Sequence, residues 1–220
     1  MPAHAGIAVF HRADARITYD AAFRVPATKP GTYRNPDSMA LKSTIFKAEL
    51  SVSDMDRPYY GSHTLTIAQH PSENDARMMV RLLAFACEAT ETLAFTRGLS
   101  EPDEPDLWDK TLTGDIAHWI DLGQPDEARL KRAAARAERV TIYTYQSASA
   151  REWWKGMAGK ASKLRNLTVY NVPSEAVDAL AQMAHRAMRL SVTIQDGDIW
   201  VSDDDHNVQL TREALQRADD

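Results

Sequence analysis

The sequence predicts an α/β protein with a mixed β-sheet flanked by helices and additional antiparallel strands. Two observations predict this class. Segments with alternating or β-branched apolar residues, which are typical of strands, are interleaved with segments whose apolar residues recur at helical spacing. The chain has 220 residues, of which 44% are hydrophobic, and a chain of this size buries a core without disulfides.

The composition excludes several classes of protein. No run of about 18 apolar residues is present, so we expect no transmembrane helix and no membrane partner. Cys87 is the single cysteine, which excludes a disulfide framework and a cysteine-based zinc site. The formal net charge of −5 argues against a generally basic protein that coats nucleic acid. The chain starts with no secretory signal pattern, and we expect it to be cytoplasmic.

Residues 1–38 differ in character from the rest of the chain. They contain four of the ten prolines and no sustained apolar periodicity, which is typical of a linker or a disordered segment. Strand character begins directly after a second methionine, Met39. We therefore expect residues 1–38 to be a disordered extension or a wrongly assigned start, and residues 39–220 to form a single domain.

The first predicted elements are a hairpin and a buried helix. Residues 41–52 and 62–69 alternate between apolar and polar side chains and are expected to pair as antiparallel strands. A helix should follow, with Ser72 as its N-cap and an apolar run over residues 78–93. Because that run is apolar over much of the helix circumference, the helix is expected to lie against a sheet, with Cys87 as a small core residue.

Strands and helices alternate over the remainder of the chain. Pro125 starts an Ala- and Arg-rich helix, and Asp196-Gly197 between two apolar runs indicates a hairpin turn. The predicted order is strands 107–113 and 117–122, helix 125–139, strand 140–145, helix 148–164, strand 167–172, helix 174–189, and hairpin strands 191–195 and 199–202.

Acidic residues concentrate next to two short predicted strands. Residues 101–109 hold five acids in nine positions, and taken alone this run is best explained as a solvated loop. Asp121 lies among apolar residues in a predicted core strand, on the same face as Trp119. Because an uncompensated buried carboxylate is costly, Asp121 either binds a divalent cation together with an acid of the adjacent strand or caps the loop before Pro125.

Six segments of the chain form an ordered set of motifs: MALKSTIFKA (39–48), HPSENDARMM (70–79), FTRGL (95–99), DEPDLW (103–108), WIDLGQPDE (119–127) and TIQDG (193–197). Together these segments resemble the bacterial YaeQ family, and the resemblance extends from Met39 to the carboxyl end. It implies a fold similar to the PD-(D/E)XK nuclease superfamily, with a restriction-endonuclease-like core and extra antiparallel strands.

The resemblance also implies a catalytic site. Glu73 matches the helix acid of the superfamily, Asp106 the acid of the first strand and Asp121 the acid of the second. Mg²⁺ or Mn²⁺ would bind between Asp106 and Asp121, polarise a phosphate and activate a water. The chain departs from the pattern at Gly123, which stands where a lysine is expected, and Lys131 on the following helix would take the role of that lysine.

Glu73 and Lys131 also have ordinary structural explanations. An acid in the first turn of a helix is favoured by the helix dipole, which would account for Glu73. Lys131 lies four residues after Glu127, which is the spacing of a surface ion pair on a helix. Neither residue therefore identifies a catalytic site by itself.

Two functions follow from these observations. The first is a metal-dependent phosphodiesterase of the nuclease type, favoured by the three acids and acting on DNA or RNA. The second, favoured by Gly123, is a nuclease-fold protein that binds nucleic acid or a protein partner without cleavage. Basic residues on the predicted helices 126–139 and 148–165 could contact phosphates despite the acidic total. Trp153 and Trp154 on the second of these helices either stack on bases or belong to the core.

Overall fold

The computed structural model describes residues 43–219, so the predictions for residues 1–38 and for a start at Met39 lie outside the described residues. The mixed α/β class is confirmed. The elements in chain order are β1 (Thr44–Asp54), β2 (Tyr59–Gln69), α1 (Asp75–Glu88), β3 (Ala94–Phe95), β4 (Leu107–Lys110), β5 (Ile116–Leu122), α2 (Glu127–Arg136), β6 (Ala137–Thr144), α3 (Ser147–Ala161), β7 (Leu167–Asn171), α4 (Ser174–Gln182), β8 (Ala187–Gln195), β9 (Asp198–Ser202), β10 (Asn207–Thr211) and β11 (Glu213–Gln216).

The strands form two mixed sheets, and helices flank them. The first sheet has five strands in the order β10-β9-β8-β1-β2, and the second has six in the order β11-β7-β6-β5-β4-β3. In the first sheet β1 pairs in parallel with β8, which joins Lys47 to Ala187. The division into two sheets could not be read from the sequence, because an apolar pattern identifies strands but not which distant segments pair.

Both predicted hairpins are confirmed. β1 and β2 pair as antiparallel strands over their whole length, and β8 pairs with β9 in the same way. The turn between β8 and β9 places Asp196 at a φ of 53° and Gly197 at a φ of 83°. Asp and Gly tolerate this left-handed conformation better than other residues, which is why the pair marks a tight hairpin turn.

Helix α1 lies between the two sheets and is buried over most of its length. Residues 78–87 are all buried and share one hydrophobic core with Leu50 of β1 and Ile120 of β5. This confirms the predicted buried helix, with Cys87 inside it. On the other face of the six-stranded sheet, a second core packs Trp119 of β5 with residues of α2 and α3. No helix within residues 43–219 is long and apolar enough to span a membrane.

The first turn of α1 differs from the prediction. The helix begins at Asp75 with Asn74 as its N-cap, rather than with Ser72. The side-chain oxygen of Asn74 accepts a hydrogen bond from the Arg77 amide at 2.9 Å. The hydroxyl of Ser72 lies 2.6 Å from His70 Nδ1 instead, so it is not available as a cap.

The helices predicted to end at residues 139 and 189 end earlier, at Arg136 and Gln182. In both cases the chain continues into a strand that pairs in parallel with another: β6 with β5, and β8 with β1. The predicted extensions were wrong because pairing with a sheet overrides a local helix propensity. Strands β3, β10 and β11 were not predicted.

His118 of β5 predicts a pH-dependent stability. The side chain is buried, and burial lowers its pKa from 6.5 to about 4. The folded protein therefore holds His118 neutral where the unfolded chain takes up a proton, so the stability is present above about pH 6.5 and is lost as the pH falls towards 4. We expect the free energy of unfolding to fall by up to about 1.4 kcal/mol per pH unit in this window.

Urea denaturation at stepped pH measures this effect, with His118→Gln as the comparison. The glutamine amide retains a polar partner for the Thr141 hydroxyl, which lies 2.8 Å from His118 Nε2. The substitution should flatten the slope between pH 6.5 and 4. An unchanged slope in the variant would show that another group causes the pH dependence.

Candidate functional site

An open cleft of about 310 Å³ lies where the ends of β4 and β5 meet the loop 98–105 and the start of α2. Both predicted metal ligands, Asp106 and Asp121, line this cleft. Leu107 pairs with Ile120 across the antiparallel strands, so the next position along brings Asp106 opposite Asp121. The structure therefore brings these two acids together.

Asp106 is held in place by one backbone donor and one side-chain donor. Its carboxylate is almost fully buried. Oδ2 accepts a hydrogen bond from the Leu122 amide at 2.8 Å, and Oδ1 accepts one from the Arg77 guanidinium at 2.7 Å. Asp106 is thus fixed to the end of β5 on one side and to α1 on the other.

Asp121 is the more deeply enclosed of the two acids, with 2% of its surface exposed. Its Oδ2 accepts hydrogen bonds from the Trp119 indole at 2.9 Å and from Arg129 Nε at 2.7 Å. Oδ1 accepts a second bond from Arg129, at 2.7 Å. Burial raises the pKa of Asp121, and the hydrogen bonds from Arg129 oppose this rise. The carboxylate contacts these two side chains and does not cap the following loop.

Glu73 lies on the α1 side of Asp106 and precedes the N-cap of that helix. Its Oε1 accepts a bond from Arg77 at 2.8 Å, and its Oε2 accepts one from Arg81 at 2.9 Å. Glu73 does not line the cleft. Arg77 bridges it to Asp106, so Glu73 is linked to the cleft through a guanidinium rather than by direct contact.

Lys131 lies outside the cleft. Its ammonium is 2.7 Å from Glu127, and 64% of its side chain is exposed. Lys160 of α3 contacts the same carboxylate at 2.8 Å, and the two lysines lower the pKa of Glu127 to about 2. These contacts agree with the surface ion pair considered above as the structural explanation for Lys131.

The backbone explains why glycine stands where the resemblance leads one to expect lysine. Gly123 follows β5 with a φ of 92°, a left-handed conformation that strains residues with a side chain. A lysine at this position would therefore strain the turn that leads to α2. The side chain of α2 that reaches Asp121 is Arg129.

Three arginines complete the site, and the sequence reasoning did not select them: Arg77, Arg81 and Arg129. Their three positive charges balance the charges of the three acids. Arg77 and Arg81 are four residues apart in α1, a spacing that places both side chains on one face of the helix, and both contact Glu73 just before its N-cap. An arginine such as Arg81 inside an otherwise apolar run was the available signal, because a buried guanidinium requires a carboxylate partner.

The basic residues of α2 and α3 are largely paired with acids. Arg132 contacts Asp103 at 2.6 Å, and Lys155 contacts Glu152 at 3.1 Å. The predicted tryptophan pair, Trp153 and Trp154, is half-buried against the second core. The indole of Trp153 donates to the backbone oxygen of Pro125 at 3.0 Å.

The chain matches one family of known proteins over most of its length. The family described as "YaeQ protein" matches residues 39–212. The YaeQ proteins of Escherichia coli (strain K12) and Salmonella typhi are each 44% identical to this chain over 179 residues, which is 81% of this chain and 99% of theirs.

Two crystal structures of bacterial YaeQ proteins share the fold. The YaeQ protein from Xanthomonas axonopodis pv. citri superposes with a TM-score of 0.78 at 48% identity, covering 79% of this chain and 98% of that one. The YaeQ protein from Pseudomonas syringae gives a TM-score of 0.76 at 40% identity, covering 80% of this chain and 97% of that one. This chain therefore shares its mixed α/β fold with these bacterial proteins over nearly their whole length. The chain belongs to the YaeQ family.

Proposed function

We propose that this protein is a metal-dependent phosphodiesterase of the nuclease type that acts in the cytoplasm. The observation that carries the proposal is the convergence of Asp106 and Asp121. Both are buried carboxylates, both come from the ends of neighbouring strands, and both line one open cleft. Oxygen ligands from adjacent strands, with water completing the shell, are what a hard divalent cation prefers.

The acceptor positions left on the two acids fit Mg²⁺ or Mn²⁺. A carboxylate offers about four such positions. Protein donors use two on Asp106 and three on Asp121, so each acid keeps an acceptor position for a cation. No group of three or more His, Cys, Asp and Glu converges as a metal site among residues 43–219. The proposed site therefore rests on two carboxylates, a number that suits Mg²⁺.

The residues around the cleft have different roles in the proposed reaction. The bound cation would polarise the phosphate and lower the pKa of a bound water. Asp106 and Asp121 hold the cation and must be ionised to do so. Arg129 takes the role that the resemblance gave to a lysine, because its positive charge at the cleft offsets charge that develops on the phosphate. Glu73 orients Arg77, and Lys131 has no role in this proposal.

A second function, binding without cleavage, is supported by a different observation. Both cleft acids already have an arginine partner, and within the described part of the chain no lysine lines the cleft. On this account the arginines serve as the permanent counter-ions of the buried acids. The basic helices 126–139 and 148–165 would then contact nucleic acid, or the protein would bind another protein.

A cleavage assay separates the two functions. Full-length protein is incubated with labelled single-stranded and duplex DNA and RNA in Mn²⁺ or Mg²⁺, with and without EDTA. We expect metal-dependent cleavage of at least one of these substrates. Asp121→Asn should lower the rate at least about 100-fold, because loss of a ligand exceeds the loss typical of groups behind the ligands. Asp115→Asn, at an exposed position of the β4–β5 turn, is the matched control and should keep the full rate.

Each of the other outcomes has a clear meaning. Binding of nucleic acid without metal-dependent cleavage would favour the second function. Equal rates for Asp121→Asn and the wild type would contradict the proposed site.

A further inference from the structure

The outer edge of the five-stranded sheet is a long strand that lacks most of the features that normally protect such an edge. At one end of this strand, β2, the Ala68 carbonyl accepts a hydrogen bond from Arg81 at 3.1 Å, and a carbonyl oxygen has a second lone pair for a further donor. β2 has eleven residues, and among residues 43–219 it pairs with β1 alone. Its sequence contains no Lys, Arg, Asp, Glu or Pro, and its register with β1 is uninterrupted by a bulge. Charges, prolines, bulges and short lengths are the usual protection of edge strands against pairing with another chain.

The other described edge strands do carry such protection. β3 has two residues, and β11 has four with an irregular register against β7. β10 has five residues, which offers another chain less than half of the edge that the eleven residues of β2 offer. The contrast makes β2 the edge at which strand addition is expected.

Exposed apolar side chains coincide with this edge. Tyr60 of β2 is 67% exposed and Ile45 of β1 is 49% exposed. The pair Ile45–Ala68 joins β1 to β2, so these two apolar residues lie at one end of the hairpin and Tyr60 lies at the other. Thr64 is the central residue of β2.

We propose that β2 pairs with β2 of a second copy of this chain, antiparallel about a two-fold axis at Thr64, which joins two five-stranded sheets into one. In this register Thr64 lies opposite its own counterpart, and Tyr60 lies opposite Ala68 of the second copy, next to Ile45 of that copy. The exposed apolar groups thus meet twice across the axis. An uncharged strand brings no like charges together, although the chain carries a net charge of −5.

The proposal predicts a self-association that is sensitive to charge at Thr64. A single strand pair gives a small interface, so we expect a dimer that forms at micromolar concentrations. Sedimentation equilibrium of the full-length protein should give a mass that rises towards twice the 24.6 kDa of one chain. Thr64→Lys and Thr64→Glu should each weaken the dimer up to about fivefold, because like charges would lie directly opposite each other.

Mixing the two variants provides the decisive test. A two-fold pairing centred on this residue places the lysine of one variant opposite the glutamate of the other, so the mixture should dimerise more tightly than either variant alone. Ser191→Lys, on an exposed position of β8 in the same sheet, is the control and should dimerise like the wild type. Unchanged thermal unfolding of all three variants would establish that the fold is intact.

Three results would overturn the proposal. The first is a wild type that stays monomeric at every concentration. The second is a dimer that Thr64→Lys leaves unaffected. The third is a mixture of the two charged variants that dimerises no more tightly than either variant alone. None of these results bears on metal-dependent cleavage at Asp121, so the proposed function is tested separately.

Discussion

Replacing Glu73 with glutamine should destabilise the fold by about 3–5 kcal/mol, the cost of removing one partner from a buried ion pair. The guanidinium of Arg81 is 4% exposed, and Glu73 is the carboxylate that compensates its charge at 2.9 Å. The Nε of Arg81 is already buried without a hydrogen-bond partner. Removal of the Glu73 charge would therefore leave the buried guanidinium without a compensating carboxylate. Urea denaturation of the full-length variant measures the effect.

Glu127→Gln is the matched control for this experiment. Glu127 also contacts two cations, Lys131 and Lys160, but it lies at the surface, where ion pairs contribute little. Its substitution should leave the unfolding midpoint nearly unchanged. Adding Arg81→Met to Glu73→Gln should restore part of the lost stability, because the second change removes the unpaired buried charge. Equal midpoints for the two glutamine variants would refute the account of Glu73 as a buried counter-ion.

Replacing Arg129 with glutamine should change metal affinity and activity in opposite directions. The guanidinium makes two hydrogen bonds to Asp121 at 2.7 Å each and so competes with a cation for the same carboxylate. Its removal should tighten Mn²⁺ binding. Cleavage at saturating Mn²⁺ should nevertheless fall about 100- to 1,000-fold, because a charge that stabilises the transition state is lost.

Calorimetry and initial rates measured on the same preparations test both parts of this prediction. Arg132→Gln, which removes an exposed arginine of the same helix that is paired with Asp103, is the control and should change neither quantity much. If Arg129→Gln weakened Mn²⁺ binding, the guanidinium would be a support of the metal site rather than a competitor. If the cleavage rate stayed unchanged, Arg129 would have no role in the reaction.

Local sequence patterns were sufficient to predict the elements that depend mainly on residues close to them in the chain. The alternation of β1 and β2 predicted their hairpin, and the turn pair Asp196-Gly197 predicted the hairpin of β8 and β9. The strand period placed Asp121 on the face of Trp119, and the indole does donate to that carboxylate.

Features that depend on distant segments were not accessible from local patterns. The parallel pairing of β1 with β8 divides the strands into two sheets, and no periodicity indicates it. The contact of Arg77 with Asp106, at 2.7 Å, joins α1 to the residue directly before β4, so neither residue alone indicates the bridge. The resemblance suggested Lys131 as a catalytic group, whereas the structure brings Arg129 to Asp121.

The central claim, that Asp106 and Asp121 form a divalent-cation site, is tested most directly by calorimetric titration of the full-length protein with Mn²⁺. The wild type and Asp115→Asn should bind one equivalent, while Asp106→Asn and Asp121→Asn should show no binding under the same conditions. A wild type that releases no heat of binding and gains no thermal stability from Mn²⁺ would contradict the claim. The arginines would then be the permanent counter-ions of these acids, and the protein would be a binding module rather than an enzyme.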